Sequence, residues 1–215
     1  MAGKAGLRWL DGRGWIALAG RASDVVRAHA LSVAAADGGV AYVTLKDASY
    51  AEAMMLDMDD LGAPAGYLVN LETEDATTIY NRLAEASVIV IGDLADAETL
   101  YARLEGAASA GIRVAFEHGA VVLAEGAAAA ALGAWIATAD DELIPGLGWL
   151  ENALILPGAV SAGESEIARA ALAAQPSALA MGIGAESALA LGPNGEVEAW
   201  GEGHVTVVLG IHHED

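Results

Sequence analysis

The stretch that decides the fold is Ile112-Arg113-Val114-Ala115-Phe116-Glu117-His118-Gly119-Ala120-Val121-Val122-Leu123-Ala124-Glu125-Gly126-Ala127-Ala128-Ala129. Its first part is typical of a helix. Residues 120–123 then form a short apolar run of the kind found in strands that are buried on both faces. Small residues follow and lead into an alanine-rich segment, so the stretch predicts a helix, a buried strand and a tight turn into a second helix.

Short apolar runs alternate with longer helical patterns along the chain, which is the pattern of a parallel α/β sheet. Strands are predicted at residues 14–20, 41–45, 67–69, 87–91, 120–123 and 153–156. Helices are predicted at about residues 24–37, 51–61, 75–86, 97–104, 112–118, 127–136 and 166–174. Near the carboxyl end, antiparallel strands at a sheet edge are predicted at residues 188–191, 197–200 and 204–209. We therefore expect a single α/β domain over residues 1–215.

Composition limits the possible partners. The chain has 215 residues, of which 55% are apolar, and this is enough for one sizeable core. Thirty acidic against ten basic side chains give a formal charge of −20, which repels nucleic-acid phosphates and anionic membrane surfaces. We expect no nucleic-acid partner. The same charge attracts cationic ligands, although an acidic surface also serves solubility alone.

The sequence offers little support for a metal, a disulfide or a membrane segment. It has no cysteine, which excludes disulfides, thiol catalysis and thiolate metal sites. No apolar run of signal-peptide length occurs near residue 1, and residues 119–139 are rich in alanine and contain Glu125, so we expect a cytoplasmic protein that does not span a membrane. The tail His212-His213-Glu214-Asp215 has metal-capable side chains, but adjacent residues at a chain end rarely form a rigid coordination sphere. We expect neither a metal nor another cofactor.

Five segments occur in an order and spacing that single out one family. They are Val88-Ile89-Val90-Ile91-Gly92-Asp93, residues 112–133, Gly146-Leu147-Gly148-Trp149-Leu150, Gly182-Ile183-Gly184-Ala185-Glu186-Ser187-Ala188-Leu189 and Gly203-His204-Val205-Thr206-Val207-Val208. Together they resemble the cyanophycinase and peptidase E family of serine peptidases. The resemblance implies a class I glutamine amidotransferase-like fold, a three-layer α/β/α sandwich with a mostly parallel sheet and an antiparallel C-terminal edge. It also implies dimers.

The resemblance further indicates where a catalytic nucleophile would stand. A nucleophile elbow needs an exposed serine or cysteine on a tight strand-to-helix turn. The chain has neither residue type between Ser109 and Ser161. A gapless comparison puts Gly126 at the nucleophile position, and a shift of two residues puts Ala124 there, but neither residue can attack a carbonyl.

Other catalytic parts of that family are altered as well. The general-base histidine would fall near residues 157–160, yet no histidine occurs between His118 and His204. The oxyanion glycine and glutamine and two acidic residues of the family are replaced, in that order, by Ile91, Leu94, Gly184 and Ala185. We therefore expect a catalytically inactive, peptidase-like protein that is retained for ligand binding or for homo-oligomeric assembly.

The sequence leaves two possibilities for such an inactive protein, ligand binding and self-assembly. In the first, a vestigial pocket holds a cationic or amide-bearing small ligand, such as arginine or an aspartyl-arginine peptide. Its expected residues are Gly92, Asp93, Glu125, Gly126 and Glu186. In the second, the chain forms a homodimer through its alanine-rich and tryptophan-bearing surfaces.

An enzymatic alternative rests on Ser161, which follows an apolar strand and precedes a helical pattern, as an elbow serine does. The alternative is a serine hydrolase with a relocated nucleophile that acts on aspartyl or Asp-Arg peptides. The other interpretation is that Ser161 or Ser165 caps the helix that begins near residue 166. Because no histidine lies nearby in sequence, we favour the capping role.

Overall fold

The computed structural model describes residues 6–35, 38–138, 140 and 142–210. Its helices are α1 (Asp24–Val33), α2 (Ser49–Asp60), α3 (Ala76–Ala84), α4 (Ala97–Leu104), α5 (Ala107–Glu117), α6 (Ala127–Ala131) and α7 (Glu166–Ala174), with a 3₁₀ turn at Ala162–Glu164. Its strands are β1 (Arg8–Trp9), β2 (Trp15–Ala19), β3 (Val40–Thr44), β4 (Gly66–Asn70), β5 (Val88–Ile91), β6 (Val121–Glu125), β7 (Trp135–Ala137), β8 (Leu143–Pro145), β9 (Leu150–Glu151), β10 (Ala153–Pro157), β11 (Leu179–Ile183), β12 (Ser187–Leu191), β13 (Val197–Gly201) and β14 (Val205–Leu209).

The main sheet has seven strands in the order β13-β12-β2-β6-β5-β3-β4. The five strands from β2 to β4 run parallel, while β12 and β13 form an antiparallel edge. Strand β6 lies between β2 and β5, which brings the carboxyl ends of all three to one edge of the sheet. This arrangement confirms the predicted mostly parallel sheet with its antiparallel C-terminal edge.

Helices cover both faces of this sheet because alternate strand residues point in opposite directions. Val40 and Tyr42 of β3 pack with Val26 of α1 and Met54 and Met58 of α2 in one buried cluster. The opposite face carries a larger cluster, which includes residues of α3, α4, α5 and α6. The fold is therefore the predicted three-layer α/β/α sandwich.

A second sheet departs from the sequence-based expectation. It has five strands in the order β14-β11-β10-β7-β8, and several of its side chains join the larger core cluster. The alanine-rich helix α6 ends at Ala131 instead of near residue 136, and the chain turns through Gly133 into β7. A Cβ at Gly133 would lie 2.9 Å from the carbonyl oxygen of Ala153, so the glycine permits this close approach to β10. The predicted strand at residues 204–209 is present, but it extends this second sheet.

No helix among the described residues is long and apolar enough to cross a membrane.

Candidate functional site

The turn between β6 and α6 has the backbone of a nucleophile elbow. Gly126 joins the last residue of the strand to the first residue of the helix with φ +58° and ψ −127°. Positive φ is uncommon for residues with a side chain, which explains a glycine at this point. The Gly126 amide donates to the carbonyl oxygen of Ala19 at 3.1 Å, so the turn is tied to the end of β2. The tight turn therefore lies where the sequence predicts it.

Asp93 occupies the space that a side chain at position 126 would need. The Ala127 amide donates to Oδ1 of Asp93 at 2.9 Å, so this carboxylate accepts a hydrogen bond from the first residue of α6. A Cβ built on Gly126 would lie 2.5 Å from Cγ of Asp93 and 2.7 Å from both of its carboxylate oxygens. Asp93 is exposed and Gly126 is buried, so the carboxylate lies over the turn.

Glu125 is fully buried directly before the turn, and its charge is matched by Arg27 of α1. The Arg27 guanidinium donates from Nε to Oε1 at 2.8 Å and from Nη2 to Oε2 at 3.0 Å. Its Nη1 donates outward to Oδ2 of Asp57 on α2 at 3.1 Å. This bidentate pair uses both carboxylate oxygens of Glu125, so the carboxylate is held by Arg27 inside the core.

The electrostatics of Arg27 follow from this pairing. Burial by itself lowers the pKa of Arg27, but its hydrogen bonds to Glu125 and Asp57 more than compensate and raise that pKa. The guanidinium is therefore permanently charged. A permanently charged partner keeps Glu125 in place and anchors the end of β6 to α1.

Tyr50 of α2 is a neighbour of the turn that the sequence-based reasoning missed. A Cβ on Gly92 would lie 2.5 Å from Cε1 of Tyr50, so the ring lies against the residue before Asp93. Burial, followed by the nearby Glu125 carboxylate, raises the pKa of the Tyr50 phenol, which is therefore neutral at physiological pH. Nothing in the local sequence identifies this residue, because its position depends on how α2 packs over the sheet.

In the turn after β5, the amide of Leu94 is not free to serve as an oxyanion donor. Ile91 is fully buried in the core. The amide of Leu94 donates to the carbonyl oxygen of Gly92 at 2.9 Å, so this N–H is used within the turn itself. An oxyanion hole needs amide donors aimed at the reacting carbonyl, and this amide is aimed elsewhere.

The five residues of the predicted pocket are only partly brought together. Gly92 and Asp93 meet Glu125 and Gly126 at the carboxyl ends of β5 and β6. Glu186 is exposed in the turn between β11 and β12. Among the described residues, no hydrogen bond or ion pair joins its carboxylate to the other four residues. Asp93 is thus the exposed acid at the turn itself.

Ser161 does not lie on an elbow. Its φ of −149° and ψ of 127° are extended backbone, and its side chain makes no capping hydrogen bond to the 3₁₀ turn at Ala162–Glu164. Ser165 is the residue that caps α7, because its Oγ accepts a hydrogen bond from the Ala168 amide at 3.3 Å. The capping interpretation therefore holds for Ser165.

The fold also brings a histidine close to Ser161, although none is near it in sequence. His204, just before β14, places its Nε2 within hydrogen-bonding distance of the carbonyl oxygen of Val160, at 2.5 Å. Residues 157–160 are where the family resemblance puts a general base. Among the described contacts, no hydrogen bond joins the His204 ring to Oγ of Ser161. The ring is held against the backbone instead.

No group of three or more histidine, aspartate or glutamate side chains in residues 6–35, 38–138, 140 and 142–210 is arranged to hold a metal ion. The candidate metal-binding tail at residues 212–215 lies outside the described residues.

The chain has a three-layer α/β/α fold with an elbow-shaped turn between β6 and α6. The structure is similar to that of a peptidase from an acI-B1 actinobacterium, with a TM-score of 0.72 and 16% identity over 93% of this chain and 92% of that one. It is also similar to a putative peptidase E protein from Listeria monocytogenes EGD-e, with a TM-score of 0.62 and 16% identity over 88% of this chain and 98% of that one. No family model and no curated protein matches the sequence. The fold is therefore peptidase E-like.

Proposed function

We propose that this chain is a peptidase-fold protein without serine-peptidase chemistry, and that it acts by binding or assembly. The observation that carries the proposal is the pairing of Gly126 with Asp93. The elbow backbone is present, but the carboxylate of Asp93 stands where a nucleophile would project. The turn therefore carries a carboxylate in place of a serine hydroxyl, and a serine peptidase needs that hydroxyl together with an adjacent base.

The surroundings of the turn support the same proposal. The Leu94 amide is bonded within its own turn, and the Glu125 carboxylate is held by Arg27. His204 contacts the backbone of Val160. When the nucleophile and the base are both missing, a serine-peptidase site keeps only a weak rate enhancement over the uncatalysed hydrolysis. That enhancement comes from substrate binding and from oxyanion donors.

The experiment that tests inactivity uses the purified, folded chain with a broad fluorophosphonate probe and with β-aspartyl and Asp-Arg dipeptides. We expect no covalent labelling and no hydrolysis above the buffer rate. Hydrolysis that copurifies with the chain through successive columns and is abolished in Asp93→Asn would overturn the proposal. That result would mean that the carboxylate takes part in chemistry.

The ligand version of the proposal places a cationic or amide-bearing molecule against Asp93. Asp93 is exposed, the neutral Tyr50 phenol lies beside it, and the whole chain carries a formal charge of −20. Because Arg27 neutralises Glu125, we assign recognition of the ligand to Asp93 and not to Glu125. Titration calorimetry with arginine and with an aspartyl-arginine dipeptide should detect binding that weakens in Asp93→Asn. Absence of binding to the unmodified chain would leave assembly as the proposed role.

The hydrolase alternative keeps one supporting observation, which is the proximity of His204 to the residue before Ser161. Against it stand the extended backbone at Ser161 and the contact of the histidine with a carbonyl group. Labelling by the fluorophosphonate at Ser161, lost in Ser161→Ala and retained in Ser165→Ala, would favour this alternative. We expect neither serine to be labelled.

A further inference from the structure

A cavity of about 310 Å³ lies beside the carboxyl-terminal half of α2, at the β4 edge of the main sheet. Its walls include Tyr42 of β3, Met55, Leu56 and Asp59 of α2, and Pro64 and Gly66 where the chain enters β4. Sites for small molecules usually have volumes of about 300–1,000 Å³, so this cavity has room for a compact ligand. None of the residues that line it belongs to the turns after β5 and β6, so it is separate from the turn at Gly126.

One wall of the cavity is a single face of α2. Asp59 follows Met55 by four residues and Leu56 by three, so the three side chains are neighbours on the helix surface. Leu56 is 66% exposed, whereas Met55 packs against the buried cluster of that face of the sheet. Because a thioether side chain is flexible, Met55 can adapt to the shape of a bound group. The helix therefore supplies an apolar wall with one carboxylate beside it.

The ring of Tyr42 reaches the cavity because position 66 is a glycine. A Cβ on Gly66 would clash with Cε2 of Tyr42 and would lie 3.2 Å from its Cδ2. The rest of the tyrosine is enclosed by the sheet and by α2, and only 1% of the residue is exposed. A side chain at position 66 would displace the ring from this place. The glycine thus leaves the outer end of a buried aromatic ring beside the cavity.

The hydroxyl of Tyr42 makes no hydrogen bond within residues 6–35, 38–138, 140 and 142–210. In the same part of the chain, Nε1 of Trp149 is the one side-chain nitrogen or oxygen that is both unpaired and fully enclosed by protein. The unpaired oxygen of Tyr42 is therefore not fully enclosed, and it faces the open space of the cavity that the ring lines. Buried tyrosine hydroxyls usually have a hydrogen-bond partner. This one is free to bind a ligand.

The polar groups of the cavity suit a positively charged ligand. Burial raises the pKa of Tyr42 to about 12, although the charge of Arg27 opposes this shift, and the Asp59 carboxylate adds to it. The phenol is therefore neutral at physiological pH, and its oxygen can accept a hydrogen bond. The Asp59 carboxylate has no hydrogen bond or ion pair with another described side chain. The last turn of α2 also lacks a basic residue, and the carboxyl end of a helix attracts cations.

We propose that this cavity binds a small molecule with an apolar body and a primary ammonium group. The ammonium group donates hydrogen bonds to the Asp59 carboxylate and to the Tyr42 hydroxyl oxygen, while the apolar body packs against Met55 and Leu56. An ammonium group has three donors and no acceptor, so it matches two groups that both accept. The formal charge of −20 attracts such a ligand from a distance. The site does not depend on the function proposed for the turn at Gly126.

The test is an NMR titration of the isotopically labelled chain with benzylamine, which has an apolar ring and is protonated at neutral pH. We expect saturable shifts at the amides of Asp59 and Gly66 and at the methyl group of Met55. Benzyl alcohol has nearly the same shape without the charge, and it should bind roughly 5-fold more weakly. Shifts that do not saturate, shifts confined to the turn at Asp93, or equal binding of the alcohol would each overturn the proposal.

Substitutions at the two polar groups test the same proposal. Asp59→Asn should weaken benzylamine binding by roughly 5-fold. Asp60→Asn is the matched control, because it removes the same charge from the same end of α2 outside the cavity lining, and it should weaken binding by less than about 2-fold. Equal weakening by the two variants would indicate general attraction to an acidic surface and would overturn the proposal.

Tyr42→Phe removes only the hydroxyl group. It should weaken benzylamine binding by about 5-fold, because one hydrogen bond to the ligand is lost. The midpoint of thermal unfolding should not fall, since the hydroxyl has no described partner in the protein. A Tyr42→Phe variant that binds benzylamine as tightly as the unmodified chain would remove the hydroxyl from the site and overturn the proposal.

Discussion

The turn after β6 and the turn after β10 each lead from a strand into helical structure, and they fail as nucleophile sites for opposite reasons. The first has the backbone conformation of an elbow at Gly126 but no reactive oxygen. The second has an oxygen at Ser161 but an extended backbone. An elbow serine needs both features at one residue, because the strained turn is what projects the side chain above the sheet.

The two turns also differ in what surrounds them. Gly126 is enclosed by Asp93 and by the buried pair of Glu125 with Arg27, so its conformation is fixed from several sides. Ser161 lies beside Val160, which is 70% exposed, and its side chain makes no capping hydrogen bond. A substitution at the first turn should therefore affect stability strongly, whereas one at the second should affect it little.

The largest effect is expected for Arg27→Ala, which leaves Glu125 buried without its partner. Removal of one member of a buried ion pair costs about 3–5 kcal/mol of the free energy of unfolding. Urea denaturation monitored by circular dichroism measures it. The control Asp57→Asn removes a partner whose side chain is 59% exposed, and it should cost less than about 1 kcal/mol. Equal losses for the two variants would contradict the anchoring role assigned to Arg27.

Gly126→Ser is expected to destabilise the chain by about 2–3 kcal/mol, because a side chain at positive φ is strained and meets Asp93. We expect no hydrolysis of aspartyl dipeptides by this variant, since no base is positioned. The double variant Asp93→Gly with Gly126→Ser should be less destabilised than the sum of the two single changes. Strict additivity in urea denaturation would show that Asp93 does not restrict position 126.

Ser165→Ala should lower the free energy of unfolding by about 1 kcal/mol, because it removes the capping acceptor for α7. Thermal denaturation followed by circular dichroism measures this loss. Ser165→Asp is the matched control, since aspartate is also a good N-cap and should retain most of the stability. A Ser165→Ala variant as stable as the unmodified chain would show that the 3.3 Å hydrogen bond contributes nothing.

Ser161→Ala should have the smallest effect, within about 0.5 kcal/mol, because the side chain is half-buried and makes no cap. The same thermal measurement compares it directly with Ser165→Ala. A loss larger than that of Ser165→Ala would reverse the roles assigned to the two serines. It would also favour a functional role for Ser161 beside the contact of His204 with Val160.

Local signals explain which parts of the fold the sequence predicts well. Helices α4 and α7 have the predicted bounds, and each begins at a capping residue, Asp96 and Ser165 respectively. The parallel strands of the main sheet are short apolar runs that need no distant information to be recognised. The second sheet was not predicted, because it depends on the pairing of β10 with β11 and of β11 with β14, which are distant in sequence.

In the candidate site, too, local sequence predicts some features, whereas others depend on contacts between residues that are distant in sequence. The position of the turn at Gly126 follows from the strand and the small residues around it. The arrangement over that turn does not, because Arg27 and Glu125 are separated by 98 positions and Asp93 and Ala127 by 34. The sequence predicts Glu125 in the same vestigial pocket as Asp93. Only the packing of α1 shows that Glu125 is paired with Arg27 beneath the turn.

The contact of Asp93 with Gly126 also limits which single substitutions the two positions can accept. A serine at position 126 is disfavoured while Asp93 remains, and loss of Asp93 removes an acceptor for the Ala127 amide before any serine is present. Both single steps pass through a less stable protein. Proteins stay close to a stability threshold, so a loss of stability at either single step is disfavoured. The pairing of Asp93 with Gly126 therefore makes the turn difficult to change by single substitutions.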